Sequence, residues 1–395
     1  MKRILFLTFY FEPDLCAGSF RNTPLAYELL SQLREKFPDS ELDVITTVPN
    51  RYSTYSANEE NTRILQGLNI ERIEIPSHKS GFLDQIKSFS KFFFAARSKV
   101  EKREYDMVYA SSSRLFTGFL GALISKKKGI PLYLDIRDIF VDTLNDVIKN
   151  LAVRFVFFPC IKYVEKFTFT RALHINLISQ GFENYFINYQ CKKSFFSNGI
   201  DDDFLIRKPK QNTERSIKKI TYAGNIGEGQ GLHNIIPKMA KFLGPSYQII
   251  IIGDGGAKVL LENEIRQMGL ENVTMISPVH RLKLMDYYAE SDYLFVHLND
   301  YKAFEKVLPS KLFELATFSM PLICGIGGYA RKFAQANIDN IILFNPCDEE
   351  DFEIQFKKYE YRLMERIEFI NKFRRQEINH RMAESILELL EGQRQ

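Results

Sequence analysis

Short apolar runs alternate with helix-period segments along this chain, and the series runs twice. In the first series Arg3–Tyr10, Glu41–Thr47, Asn69–Ile75, Met107–Ala110 and Leu132–Ile136 read as strands. Helices over Arg21–Lys36, Leu83–Lys102 and Leu115–Lys127 separate them. In the second, strands at Lys219–Ala223, Tyr247–Ile252, Val273–Ser277, Tyr293–His297 and Pro321–Cys324 alternate with helices from Leu232, Lys258, Leu282 and Ser310. Continuously apolar strands belong to parallel sheets covered on both faces, since each parallel crossover needs a helix-length connection. The chain is therefore expected to be α/β, with two Rossmann-like, doubly wound domains over residues 1–197 and 198–365. The charged tail, 366–395, has helical spacing and is expected to pack back on the first domain. Such sheets bind ligands outside the carboxyl ends of their strands, so two in tandem are expected to face a central cleft.

A length of 395 residues suits two domains. Lys and Arg number 53 against 49 Asp and Glu, a net charge of +4 that gives no support for nucleic acid as a partner. Cys16, Cys160, Cys191, Cys324 and Cys347 show neither CxxC nor Cys/His spacing. That excludes a zinc or disulfide framework and points to a reducing, cytoplasmic setting. The run Asp201-Asp202-Asp203 follows Asn198-Gly199 and reads as a domain-entry turn, not a metal site. His78, His233 and His297 read as structural or peripheral. The apolar run after Met1-Lys2-Arg3 ends at Glu12-Pro13-Asp14, as a buried strand would and a signal peptide would not. No apolar run reaches the ~18 residues of a membrane span. Two aromatic-basic stretches stand out: Ser88–Tyr105, and Val153–Arg171 with Phe155, Phe157, Phe158, Lys162, Tyr163, Lys166 and Phe167. Segments of this kind can lie on an anionic bilayer, so a peripheral place on the inner face of the cytoplasmic membrane is expected.

Six motifs in order carry a resemblance. They are Phe11-Glu12-Pro13 with Gly18; Pro131–Asp138; Asn198-Gly199-Ile200-Asp201; Tyr222–Gly227 with Gln230-Gly231; Ile252-Gly253-Asp254-Gly255; and Leu308-Pro309-Ser310-Lys311-Leu312-Phe313-Glu314. Together they resemble the family-4 glycosyltransferases of the GT-B fold, in a PSK-type branch associated with bacterial surface polysaccharides. The resemblance implies transfer of a sugar from a nucleotide-diphosphate sugar to a glycan, often lipid-linked, with retention and in O-antigen or capsule assembly. It implies no metal or other cofactor. Loss of the nucleoside diphosphate leaves negative charge that glycine-loop amides and cationic side chains can stabilise.

Residue by residue, the resemblance places Gly18, Gly224, Asn225, Gly227, Gly253, Asp254, Lys306, Ser310, Lys311 and Glu314 at the donor. Glu314 would accept the ribose hydroxyls and Lys311 would add charge at the diphosphate. Asp138 and Arg137 would sit at the reacting sugar. Departures are also visible. Asn225 and Gln230 stand where the family has Arg and Lys, Lys306 where it has a Glu, and Arg137 where it has a His. These leave two other expectations open: a nucleotide-sugar 2-epimerase of the same fold, or an inactive nucleotide-sugar-binding partner subunit.

Overall fold

The computed structural model describes residues 1–14, 16–49, 65–75, 82–112, 115–142, 151–206 and 215–392. In the helices that begin at 82 and 151, side chains are described from 87 and 158 onward, so Phe155 and Phe157 lie outside the described residues. Two compact units result: Met1–Asn198 with Gln376–Gln395, and Gly199–Arg375.

The first unit is built on seven parallel strands. They are β1 (Arg3–Leu7), β2 (Glu41–Thr47), β3 (Leu68–Ile73), β4 (Met107–Ser112), β5 (Leu132–Ile136), β6 (His174–Leu177) and β7 (Lys192–Ser194). Their order is β3-β2-β1-β4-β5-β6-β7, which reverses between β1 and β4. β1, β4 and β5 are almost wholly buried, as a sheet covered on both faces requires. Helix Ala17–Lys36 packs Leu25, Leu29 and Leu33 into the same core as Met382, Ala383, Ile386, Leu387 and Leu390 of helix Arg375–Glu391. The tail thus completes the first hydrophobic core.

The second unit has six parallel strands: β8 (Lys218–Asn225), β9 (Tyr247–Asp254), β10 (Val273–Ile276), β11 (Tyr293–His297), β12 (Leu322–Gly325) and β13 (Ile341–Phe344). Their order, β10-β9-β8-β11-β12-β13, reverses between β8 and β11. Helix Leu232–Leu243 buries Leu232, Ile235, Ile236, Met239 and Ala240 against β8 and β9, following its 3.6-residue period.

Residues 366–375 stay with the second unit. Ile200 pairs in parallel with Arg374, through Ile200 N–H to Phe373 O (2.8 Å) and Arg375 N–H to Ile200 O (3.0 Å). A Cβ at Gly199 would meet Arg375 Cα at 2.6 Å, so the close approach of two backbones explains this glycine. Asp201 accepts from both Arg281 and Arg375, and Asp203 lies 3.4 Å from Arg281. The aspartate run is an ion-paired turn. Among the described residues no group of three His, Cys, Asp or Glu is placed to hold a metal, and no helix is long and apolar enough to cross a membrane.

Candidate donor site at the switch point of the second sheet

A doubly wound sheet opens a crevice where its strand order reverses, because the loops on either side leave in opposite directions. In the second unit that point lies between β8 and β11, so the loops at 224–231 and 298–310 flank it. β8 runs beside β9 to its end, pairing Gly224 with Gly253 and Asn225 with Asp254. Ile226 N–H then donates to Asp254 O (2.8 Å) and Ala257 N–H to Ile226 O (2.9 Å). A Cβ at Gly253 would stand 1.9 Å from Gly224 O, and one at Gly255 would stand 2.5 Å from Ile226 O. These glycines are therefore required first by backbone-to-backbone packing. Their proximity brings Gly224, Asn225 and Gly227 together with Gly253 and Asp254.

The loop after β11 is laced to the glycine loop. Asn299 donates from its amide N–H to Gly229 O (2.9 Å) and from Nδ2 to Glu228 O (2.7 Å), while Tyr301 O–H donates to Glu228 Oε1 (2.8 Å). His297, 1% exposed, donates from Nδ1 to Gln230 O (2.7 Å) and accepts Cys347 N–H at Nε2 (3.0 Å). Burial pushes its pKa down to about 4, so it serves as a neutral strut. Spacing alone did not single out His297, Asn299 or Tyr301; a histidine ending an apolar strand beside a turn was the available signal.

Asn225 is exposed, and its Nδ2 donates to Gln230 Oε1 at 2.8 Å. The side-chain amides of these two residues therefore bond to each other. Asp254, also exposed, caps its own turn by accepting Gly255 N–H at 2.8 Å. Lys306 ends the 3-10 turn Lys302–Lys306 and is half-buried.

The helix expected from Ser310 is a short one, Lys311–Leu315, with Ser310 as its cap residue and Pro309 before the first turn. The amides of Leu312 and Phe313 already bond to Pro309 O and Ser310 O (3.2 and 3.1 Å). Lys311 Nζ lies 2.7 Å from Glu314 Oε2, with the two side chains 29% and 14% exposed. Burial works against the lysine cation, but Glu314 and Tyr288 outweigh it and raise the Lys311 pKa above the ordinary value. The pair is a fixed cation beside a fixed, mostly buried carboxylate, and a carboxylate so held can accept hydroxyl donors.

In the first unit, Gly18 and Arg137 are neighbours. Arg137 Nη2 donates to Ala17 O (3.0 Å), and a Cβ at Gly18 would lie 3.0 Å from Tyr10 and 3.2 Å from Arg137 Nη1. Nε and Nη1 of Arg137 meet no partner among the described residues. Burial and the nearby Arg21 both oppose its charge and lower its pKa, a setting that an anion would relieve. Asp138 follows at an exposed position. Behind them lies a pair that the motifs did not reveal. Arg21 and Asp135, 1% and 0% exposed, are joined by Nε–Oδ2 (2.8 Å) and Nη2–Oδ1 (2.9 Å) bonds.

Residues 203–373 match the model of a family described as glycosyl transferases group 1. Over 119 residues the chain is 32% identical to an Escherichia coli K12 protein named as a colanic acid biosynthesis glycosyl transferase, WcaI. That stretch is 30% of this chain and 27% of the relative, so the match spans about a quarter of the relative's length. Among solved structures, Anabaena HepE in complex with UDP matches with a TM-score of 0.59 at 16% identity, covering 99% of this chain and 98% of that one. WaaG, a glycosyltransferase involved in lipopolysaccharide biosynthesis, matches with a TM-score of 0.63 at 13% identity, covering 96% and 95%. At these identities the structural likeness speaks for the two-unit fold.

Proposed function

We propose, from the match of residues 203–373 to the glycosyl transferases group 1 model, that the chain moves a sugar from a nucleotide-diphosphate sugar to a glycan acceptor. The observation that supports this reading is the switch point of the second sheet, where Gly224 pairs with Gly253 and β11 with the loop after it bonds to Glu228, Gly229 and Gln230; the Lys311–Glu314 pair follows in the same unit. The diphosphate would lie against the glycine loop, and Glu314 would accept the ribose hydroxyls. Arg137 and Asp138 would serve the reacting sugar. The acceptor would be a lipid-linked glycan at the inner face of the cytoplasmic membrane, in bacterial surface-polysaccharide assembly such as O-antigen or capsule. Transfer would proceed with retention and without a metal, developing charge being met by amides and side chains.

A panel of UDP-, GDP-, ADP-, CMP- and dTDP-sugars, with and without EDTA, tests this by thermal stabilisation. A ligand at about 100 times its dissociation constant adds roughly 2.7 kcal/mol of apparent stability. Stabilisation by one nucleotide class, unchanged by EDTA and reduced in Glu314→Ala, supports the reading. Indifference to every donor counts against it. One observation favours a second reading, an inactive nucleotide-sugar-binding partner: the Asn225–Gln230 bond occupies the place of two cations. Donor binding without transfer or hydrolysis in any acceptor mixture would select it.

A further inference from the structure

The connections β3 to β4, β4 to β5 and β5 to β6 all run the same way across the first sheet. Right-handed crossovers therefore set their helices, Phe82–Glu101, Leu115–Lys128 and Leu151–Arg171, on one face. Helix Ala17–Lys36 joins β1 to β2 in the opposite direction and takes the other face. An aromatic row crosses the three helices: Phe93 stacks on Phe119 at 6.0 Å, and Phe119 meets the edge of Phe167 at 5.7 Å. Outside this row two large aromatics stay in water, Phe94 at 66% and Tyr163 at 71% exposed. Lys87, Lys91, Arg97, Lys126, Lys162 and Lys166 are exposed on the same helices. Their described acids are Glu101, paired with Lys127, and the buried Glu165. In a chain whose whole net charge is +4, this face holds more than the entire excess.

Between the ends of the first two helices lies a groove of about 370 Å³. Its floor is Val100, Leu120, Leu123 and Ile124; Arg97, Lys126, Lys127 and Lys128 rim it with one carboxylate, Glu101. Lys128 donates to Arg103 O at 2.6 Å, and Lys126 lies 5.4 Å over the Phe167 ring. Lys127 and Lys128 pair with Glu101 and Glu104, while Arg97, whose charge acts on Glu101 without an ion pair, and Lys126 stay clear of a carboxylate contact among the described residues. An apolar floor with a cationic rim suits an amphiphile bearing one anionic group on an alkyl chain.

We propose that this three-helix face docks on an anionic phospholipid bilayer. Phe94 and Tyr163 enter the interface, and the groove seats a lipid phosphate with the start of its acyl chain on the apolar floor. The inference rests on the transferase reading for its purpose, delivery of the chain to a membrane-borne acceptor. Binding itself is measured without transfer.

The test is co-sedimentation of the full chain with vesicles of phosphatidylcholine alone, or with about a third phosphatidylglycerol. The proposal expects binding to the anionic vesicles only, weakened at least tenfold at high salt because the attraction is screened. Arg97→Glu with Lys126→Glu should weaken it tenfold or more, and Phe94→Ser with Tyr163→Ser should abolish the part that survives salt. None of the four side chains is buried, and each variant is checked for unchanged circular dichroism. No binding to anionic vesicles overturns the proposal, as does binding that all four substitutions leave intact. Release by millimolar inorganic phosphate at constant ionic strength also overturns it, since the groove would then serve free phosphate. A chain that binds vesicles but no nucleotide sugar sinks the transferase reading and leaves this one standing; the converse result does the reverse.

Discussion

Replacing Arg21 by Met, of similar length and no charge, should unlatch the first core. The substitution removes two bonds to Asp135, at 2.8 and 2.9 Å, and the bonds to the carbonyls of Phe196 and Ser197, both at 2.8 Å. Asp135 keeps Asn176 Nδ2 at 2.7 Å and Tyr109 O–H at 3.2 Å, and the charge of Arg137 still acts on it, but no cation remains bonded to it. Removing one partner of a buried pair costs about 3–5 kcal/mol, because a charge remains without compensation. Two carbonyls losing their donors add about 1 kcal/mol each, and burial of the Met side chain returns roughly 1–2 kcal/mol. The net is about 4 kcal/mol, or roughly a thousandfold in the opening equilibrium of this core. Native-state amide exchange in β5, a buried interior strand of the first sheet, reads it. The penalty should also depend on pH. Burial raises the Asp135 pKa, but Arg21 outweighs it and holds the carboxyl below its ordinary range. The wild-type contribution is thus present above the unfolded carboxylate value of about 3.9 and lost as pH falls through the folded one. Without Arg21, protonation relieves the carboxylate, so the deficit should shrink toward pH 4. A loss below about 1 kcal/mol at pH 7, or a deficit independent of pH, refutes the reasoning.

Gly253→Ala should cost about 2–4 kcal/mol, from a Cβ aimed at Gly224 O and a φ of +156°; denaturation within 0.5 kcal/mol of wild type, on the order of a surface change, would contradict the packing described. His297 and His174 are each 1% exposed, and burial pulls each from 6.5 to about 4. The unfolded chain therefore binds more protons between those values, so stability should fall on acidification through that window. Each contributes up to roughly 3 kcal/mol, and a His297→Gln variant should flatten its share of the pH profile. If Lys311 steadies Glu314, Lys311→Met should weaken a nucleoside and its diphosphate alike, by about tenfold, the worth of one charge-assisted bond. A loss confined to the diphosphate would instead make Lys311 a phosphate ligand.

Periodicity made most of the fold legible. β5 and β11 occur where their apolar runs lie, because strands buried on both faces of a parallel sheet are apolar at most positions. β6 and β7 were not visible. His174-Ile175-Asn176-Leu177 alternates polar residues, and Lys192-Lys193-Ser194 has no apolar residue. Both are strands because a neighbouring backbone supplies the pairing, with Asn176 and Ser194 bonding each other across it at 3.1 Å. The glycine motifs marked the loops of the second unit, but Gly253 and Gly255 answer first to strand packing. Asp135 is the instructive omission. A lone aspartate inside an apolar strand demands a buried partner, yet the partner lies 114 positions away and only tertiary structure supplies it.

The central claim is that the reversal between β8 and β11 receives the nucleoside diphosphate of the donor. Hydrogen–deuterium exchange of the full chain, with and without the stabilising nucleoside diphosphate, tests it most directly. The account predicts slowed exchange in peptides spanning 224–231, 253–257 and 298–314, with the effect lost in Glu314→Ala. Ligand-dependent protection confined to other segments, or stabilisation with no protection in these three, would contradict it.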